Sequence, residues 1–187
     1  MGLLTEIYSE FKRKIKVSVD FRNAKKRLLS SVDYTDQEKD VLQRVSLSID
    51  KADIMYAGNA FHYLRVGLSA LRCIREALQS NSNEVDVEYV MDFPSGYGRV
   101  LRFLKAMFPN AVITGAEIDS DALHFCRKNF SVQSFLSTKN FSDYPFPTNM
   151  TWFGGSLFTH INEQSSRELL KLFSSHLSDY GISAMTY

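Results

Sequence analysis

The stretch Val90-Met91-Asp92-Phe93-Pro94-Ser95-Gly96-Tyr97-Gly98-Arg99-Val100 decides how the rest of this 187-residue chain is read. A short apolar run, Tyr89 to Met91, leads into an acid, and a tight Gly-containing turn follows. A helical pattern then begins, with Val100, Leu101, Leu104 and Phe108 on one face. Strand, turn, helix is the opening unit of a doubly wound, Rossmann-like α/β domain with a mostly parallel sheet, in which ligands sit at the carboxyl ends of the strands. Gly96 and Gly98 have no Cβ, so backbone there can approach a ligand closely.

About twenty residues further on, a second strand ends in another acid: Ala111-Val112-Ile113-Thr114-Gly115-Ala116-Glu117-Ile118-Asp119. A carboxylate at that place can accept hydrogen bonds from both hydroxyls of a ribose, which points to an adenosine-containing cofactor. The dinucleotide fingerprint G-x-G-x-x-G fails, because Pro94 and Arg99 stand where its first and third glycines belong, and the phosphate loop G-x-x-x-x-G-K-[ST] is absent. A diphosphate needs a row of free backbone N–H groups at a helix N-terminus, and Pro94 supplies none. A cofactor without phosphates asks less of this turn, and S-adenosylmethionine is the common one.

On these residues the chain from about Asp53 onward resembles the class I S-adenosylmethionine-dependent methyltransferases. Small bacterial methyltransferase-domain proteins of that class have a first motif like D-x-[GP]-x-G-x-G-R-V-L-R, here Asp92-Phe93-Pro94-Ser95-Gly96-Tyr97-Gly98-Arg99-Val100-Leu101-Arg102. The second motif runs from Ile113 to Leu123, and a third reads Trp152-Phe153-Gly154-Gly155-Ser156-Leu157-Phe158-Thr159-His160-Ile161. The resemblance implies S-adenosylmethionine as cofactor. It assigns Glu117 to the ribose hydroxyls, Asp92 to the turn and the amino group of the methionine moiety, and Pro94, Gly96 and Gly98 to the cofactor turn. Ile118 becomes one wall of the adenine slot, Asn140 and Phe141 lie in the region that meets the adenine, and Gly155 lies in the turn toward which the methyl group points. Arg99 is divided between a site role and a surface arginine.

Composition agrees with one domain and a real core: 44% of residues are hydrophobic and 13% aromatic, with 14 Phe and 9 Tyr. A net charge of +1 gives no global bias toward nucleic acid. Cys73 and Cys126 have no zinc spacing and read as buried thiols in a reducing cytoplasm. No signal peptide and no apolar run of membrane-spanning length is visible.

Residues 1–52 read as an N-terminal helical extension and 53–187 as the cofactor-binding domain. Within the extension, residues 3–16 form an amphipathic pattern, with Leu3, Leu4, Ile7, Tyr8, Phe11 and Ile15 on one stripe. The basic run Lys12, Arg13, Lys14, Lys16, Arg22, Lys25, Lys26 and Arg27 follows. Two readings apply: a helix docked on the domain with a charged outer side, or a surface for an anionic partner or membrane face. Thr35-Asp36-Gln37-Glu38 is a capping box. Asn59 can cap the next helix, which carries Phe61, Leu64, Leu68, Leu71, Ile74 and Leu78; Tyr56 and Tyr63 are candidates to cover the cofactor, with core packing the alternative. Residues 79–86 read as a linker.

A helix from Ser120 or Asp121, a third strand near 131–136, a fourth near 150–154, a helix begun by Asn162 or Ser165, and a fifth strand at 182–187 complete the pattern. Such folds continue with about one more helix and an antiparallel strand pair. The sequence reads as short of that pair, which leaves the fifth strand an edge open to pairing with another subunit.

Methyl transfer needs acceptor and donor aligned and, for some acceptors, a base. His160, with Ser156 and Thr159 nearby, is the candidate for the base; the alternative is that Thr159 and His160 buttress the turn. The motif after the fourth strand is not the Asn/Asp-Pro-Pro-Tyr/Phe type of enzymes acting on planar nitrogens. That argues against nucleobase amino groups or glutamine; by default, with no signal of its own, the expected acceptor is an oxygen on a small molecule or saccharide. The competing function is a non-catalytic module that keeps the fold as a binding partner. A nicotinamide-dependent oxidoreductase is disfavoured by Pro94 and Arg99.

Overall fold

The computed structural model describes residues 2–80, 87–138, 150–155, 157–177 and 181–186. Five strands, β1 (Tyr89–Asp92), β2 (Val112–Glu117), β3 (Gln133–Leu136), β4 (Met150–Gly155) and β5 (Ser183–Thr186), form one sheet in the order β3-β2-β1-β4-β5. Every pairing is parallel, with Asp92 level with Gly115 on one side and Phe153 on the other. The strand order turns back beside β1, so the crevice above Asp92 is the topological switch point where such sheets bind ligands. This is the doubly wound parallel sheet expected from the Val90–Val100 stretch, and β5 is an edge of the described sheet.

Helices α3 (Ala60–Ser80), α4 (Leu101–Met107) and α5 (Ser120–Phe130) cover one face and α6 (Glu163–His176) the other. Strand alternation explains the split. Val90 points with Ile113 into a core with Ala70, Ile74, Leu101, Leu104, Cys126 and Phe130. Its neighbour Met91 points the opposite way, to Phe93, Ala116, Leu169 and Phe173. Gly67 on α3 lets Phe103 of α4 pack against the helix backbone; a Cβ there would come within 2.1 Å of that ring.

The first 29 residues differ from expectation. Rather than a helix ending near residue 16, α1 runs unbroken over Gly2–Leu29. Only its second half docks. Phe21, Ala24 and Leu28 enter a core with Leu42 of α2 (Asp36–Arg44), Val45, and Tyr63, Leu64, Leu68 and Leu71 of α3. Ile7, Tyr8, Phe11 and Ile15 stay exposed, so the docked-helix reading fails for the stripe that suggested it. The capping box forms as expected: Thr35 Oγ1 accepts from Glu38 N–H and the Glu38 carboxylate accepts from Thr35 N–H. Glu38 is buried, and its charge is met by Arg72 and Arg75 of α3. Asn59 and Asn162 cap α3 and α6 through their side-chain oxygens, and Asp119 caps α5.

Candidate functional site

The turn after β1 is built from its own hydrogen bonds. Ser95 N–H donates to the Ala116 carbonyl (2.9 Å), which locks the turn to β2, and Gly98 N–H donates back to the Ser95 carbonyl (2.9 Å). Gly96 and Gly98 both have positive φ, +50° and +77°, a region that costs other residues energy. They differ in what surrounds them. A Cβ on Gly98 would fall 2.5 Å from the Phe130 ring and 2.9 Å from Cys126 Sγ, whereas one on Gly96 would meet nothing within 4 Å. Gly98 is thus held by packing against α5, and Gly96 is the glycine that faces the crevice.

Glu117, at the end of β2, reaches across to this turn. Its Oε2 accepts from Gly96 N–H (2.8 Å), and its Oε1 accepts from Ile118 N–H (2.7 Å) and, longer, from Asp119 N–H (3.4 Å). A carboxylate has about four lone-pair directions, so capacity for a further donor remains. Asp92 is buried beneath. One of its oxygens takes the Leu101 N–H at the start of α4, while Oδ2 has no partner among the described residues. Burial, then the neighbouring Glu117 charge, push the Asp92 carboxyl well above the usual carboxylate range; the Leu101 N–H and Arg99 pull weakly the other way.

A cavity of about 350 Å³ joins these groups. Asp92, Pro94, Ser95, Gly96, Tyr97, Arg99 and Glu117 form its floor, Val66, Ser69, Ala70 and Cys73 of α3 one wall, and Asp53, Met55 and His160 its rim. Of the residues singled out from sequence, Asp92, Pro94, Gly96, Glu117 and His160 therefore line one space. His160 is exposed, follows the 3-10 turn Leu157–Thr159, and donates its backbone N–H to the Leu157 carbonyl (2.9 Å). Ile118 is exposed beside Glu117 and Gly155 ends β4; neither is among the described residues lining the cavity, and nor is Gly98. Ser156, Asn140 and Phe141 lie outside the described residues.

One open alternative is decided and one expectation is corrected. Tyr63 does not cover the cavity: it is fully buried in the helical core, edge-on to Phe21, and Tyr56 packs against the same pair, tilted to Phe21 and edge-on to Tyr63. Both carry rings too large to leave in water where a core is available. Cys73 is exposed on α3 rather than buried; Cys126 is buried, and burial pushes its thiol up to about 12.

The sequence reading missed Arg102. It is buried on α4 without a directly bonded carboxylate. Its guanidinium donates to the carbonyls of Gly98 (2.9 Å), Tyr97 (3.3 Å), Ser46 (3.2 Å) and Ser48 (2.7 Å), and to Tyr63 Oη (3.1 Å). Tyr63 in turn donates to Asp53 (2.7 Å) at the cavity rim. The rings of Phe130 and Tyr63 lie 4.6 and 5.1 Å from the guanidinium carbon. Arg102 thereby fastens the turn after β1 to the segment after α2. The available signal was an arginine inside the apolar run Leu101-Arg102-Phe103-Leu104, on a helix buried nearly all round.

No protein-family model and no curated protein sequence matches the chain. Solved structures do. A sugar N-methyltransferase from a Streptoalloteichus species aligns with a TM-score of 0.55 at 16% identity over 83% of this chain and 57% of its own. The plantazolicin methyltransferase BpumL, in complex with a pentazolic desmethylPZN analog and SAH, gives 0.52 at 20% identity, over 66% of this chain and 48% of its own. A SAM-dependent methyltransferase from Leishmania major gives 0.52 at 15% identity, over 67% and 51%. The chain spans about half the length of these neighbours. Its fold is that of the class I SAM-dependent methyltransferases.

Proposed function

We propose that this chain, built on the class I methyltransferase fold, is an S-adenosylmethionine-dependent methyltransferase acting on an oxygen of a small molecule or saccharide. The observation that carries the reading is the unpartnered Oδ2 of buried Asp92, facing Glu117 across the cavity floor. Two carboxylates crowded in a half-enclosed space disfavour an anionic ligand and favour a cationic one. A diphosphate has little to hold it here: the Leu101 N–H is already taken by Asp92, and Pro94 has none to give. S-adenosylmethionine carries a sulfonium and an ammonium, and its ribose hydroxyls suit the remaining acceptor capacity of Glu117.

When bound, the cofactor supplies an activated methyl group on sulfur. The chain's residues then have distinct tasks. Asp92 accepts from the ammonium and regains its charge, Glu117 accepts from the ribose, and Gly96 admits both without a Cβ in the way. Arg99 lines the same cavity and offers a cation to the carboxylate end of the methionine moiety. His160, at the rim, would be the group placed to take the proton from an acceptor hydroxyl.

The sugar N-methyltransferase and the plantazolicin methyltransferase among the neighbours support a small-molecule acceptor by analogy of fold. Calorimetric titration with S-adenosylhomocysteine, with NAD as control, tests the cofactor. Micromolar binding of the first alone is expected; equal or preferential binding of NAD would end this reading. Tight cofactor binding without turnover across an acceptor screen would move the chain to the non-catalytic module.

A further inference from the structure

The first half of α1 carries a stripe that the fold leaves uncovered. Ile7, Tyr8, Phe11, Ile15 and Val19 are 56, 59, 60, 48 and 38% exposed. Large apolar side chains exposed elsewhere do not line up along a helix in this way. The docked face of the same helix is Val17, Phe21, Ala24 and Leu28. At about 100° per residue the two stripes point roughly 140° apart, so one straight helix cannot bury both against the same body.

Charge is sorted around the exposed stripe. Lys12 and Lys14 flank it, Lys12 lying 4.5 Å over the Tyr8 ring and Lys14 held by Glu10 at 3.4 Å. Arg22 and Lys26 continue on the stripe's side beyond Val19, both exposed. The acids Glu6 and Asp20 fall on the far side of the helix, and Glu10 sits beside Lys14, which it pairs with. A second copy laid on this stripe would bring the lysines and arginines of both chains together along the seam, with only Glu10, already paired with Lys14, beside them. A surface that is apolar inside and anionic at its rim satisfies both halves of the pattern.

We propose that the stripe from Ile7 to Val19 lies in the interface of an anionic lipid bilayer, with Lys12, Lys14, Arg22 and Lys26 at the headgroups. The helix would lie flat rather than cross: no helix among the described residues is long and apolar enough to span a membrane.

Sedimentation of the full chain with vesicles tests this, comparing phosphatidylcholine alone with phosphatidylcholine holding about 30% phosphatidylglycerol. Binding to the anionic vesicles is expected, with little to the neutral ones and a decline as salt is raised. Phe11→Glu with Ile15→Glu should abolish it, and Lys12→Glu with Lys14→Glu should weaken it by about tenfold or more. All four side chains are exposed, so circular dichroism and the S-adenosylhomocysteine affinity should not change. No binding to either vesicle, equal binding to both, or undiminished binding by Phe11→Glu/Ile15→Glu would overturn the proposal. A dimer in analytical ultracentrifugation that this pair dissolves, without vesicle binding, would assign the stripe to a second copy instead.

Discussion

The Oε2 of Glu117 accepts the backbone N–H of Gly96 at 2.8 Å, so the carboxylate at the end of one strand holds the turn that leaves the next. These residues are 21 positions apart in sequence and meet because β1 and β2 run parallel and in register. The contact lets Glu117 shape the turn after β1, and the proposed function gives it a second task, accepting from the ribose.

Replacing Glu117 should separate those tasks. Glu117→Gln keeps an acceptor for Gly96 N–H but loses the charge and one acceptor; Glu117→Ala loses both. S-adenosylhomocysteine affinity is expected to fall at least tenfold in the alanine variant, about 1.4 kcal/mol or more, and less in the glutamine variant. Calorimetry on samples shown to be folded reads this, and unchanged affinity in Glu117→Ala removes the ribose assignment.

Asp92 should trade stability for binding. Its folded-state pKa lies above its ordinary value near 3.8. In the window between those values the folded state holds more protons than the unfolded one, so stability falls as pH rises through it. Asp92→Asn is therefore expected to raise the melting temperature of the ligand-free chain at neutral pH, with the gain shrinking toward acid pH, while weakening S-adenosylhomocysteine binding. Melting curves across pH, paired with titrations, check both halves. A variant that melts lower at neutral pH contradicts the account.

Arg102 should matter for stability through five acceptors at once. Arg102→Met keeps the apolar stem but leaves the carbonyls of Ser46, Ser48, Tyr97 and Gly98 and the Tyr63 hydroxyl without their donor. A loss of about 3 kcal/mol or more is expected in urea unfolding. Arg102→Lys should recover only part of it, since one ammonium cannot reproduce the fork.

The two glycines of the turn should respond differently to alanine. Gly96→Ala meets open space and carries only the backbone cost of positive φ, about 1 kcal/mol. Gly98→Ala adds a collision with Phe130 and Cys126 and should cost about 2–4 kcal/mol in all. The order reverses for the ligand: in folded protein, Gly96→Ala should be the one that weakens S-adenosylhomocysteine binding. Equal losses of stability would mean the α5 packing yields more readily than its geometry implies.

Local chemistry was legible along the chain. The Val90–Val100 stretch and the acid at Glu117 determined a doubly wound sheet with its crevice over Asp92, because strand period, glycine turn and helical period are properties of neighbouring residues. The capping box at Thr35 and Glu38 and the cap at Asn59 were readable for the same reason. Only the tertiary structure decided matters that depend on residues far apart. It turned Tyr63 from a candidate cover into core, since Phe21 and Leu28 of α1 pack against it. It showed that Gly98 answers to Phe130 and Cys126, while Gly96 answers to the crevice. It gave Arg102 five acceptors drawn from three separate segments, and left Asp92 Oδ2 with no partner among the described residues. The α1 stripe is the clearest division: its amphipathic period is written in the sequence, but whether a face is covered depends on where the rest of the chain ends up. Docking through Phe21 and Leu28 turned that stripe outward.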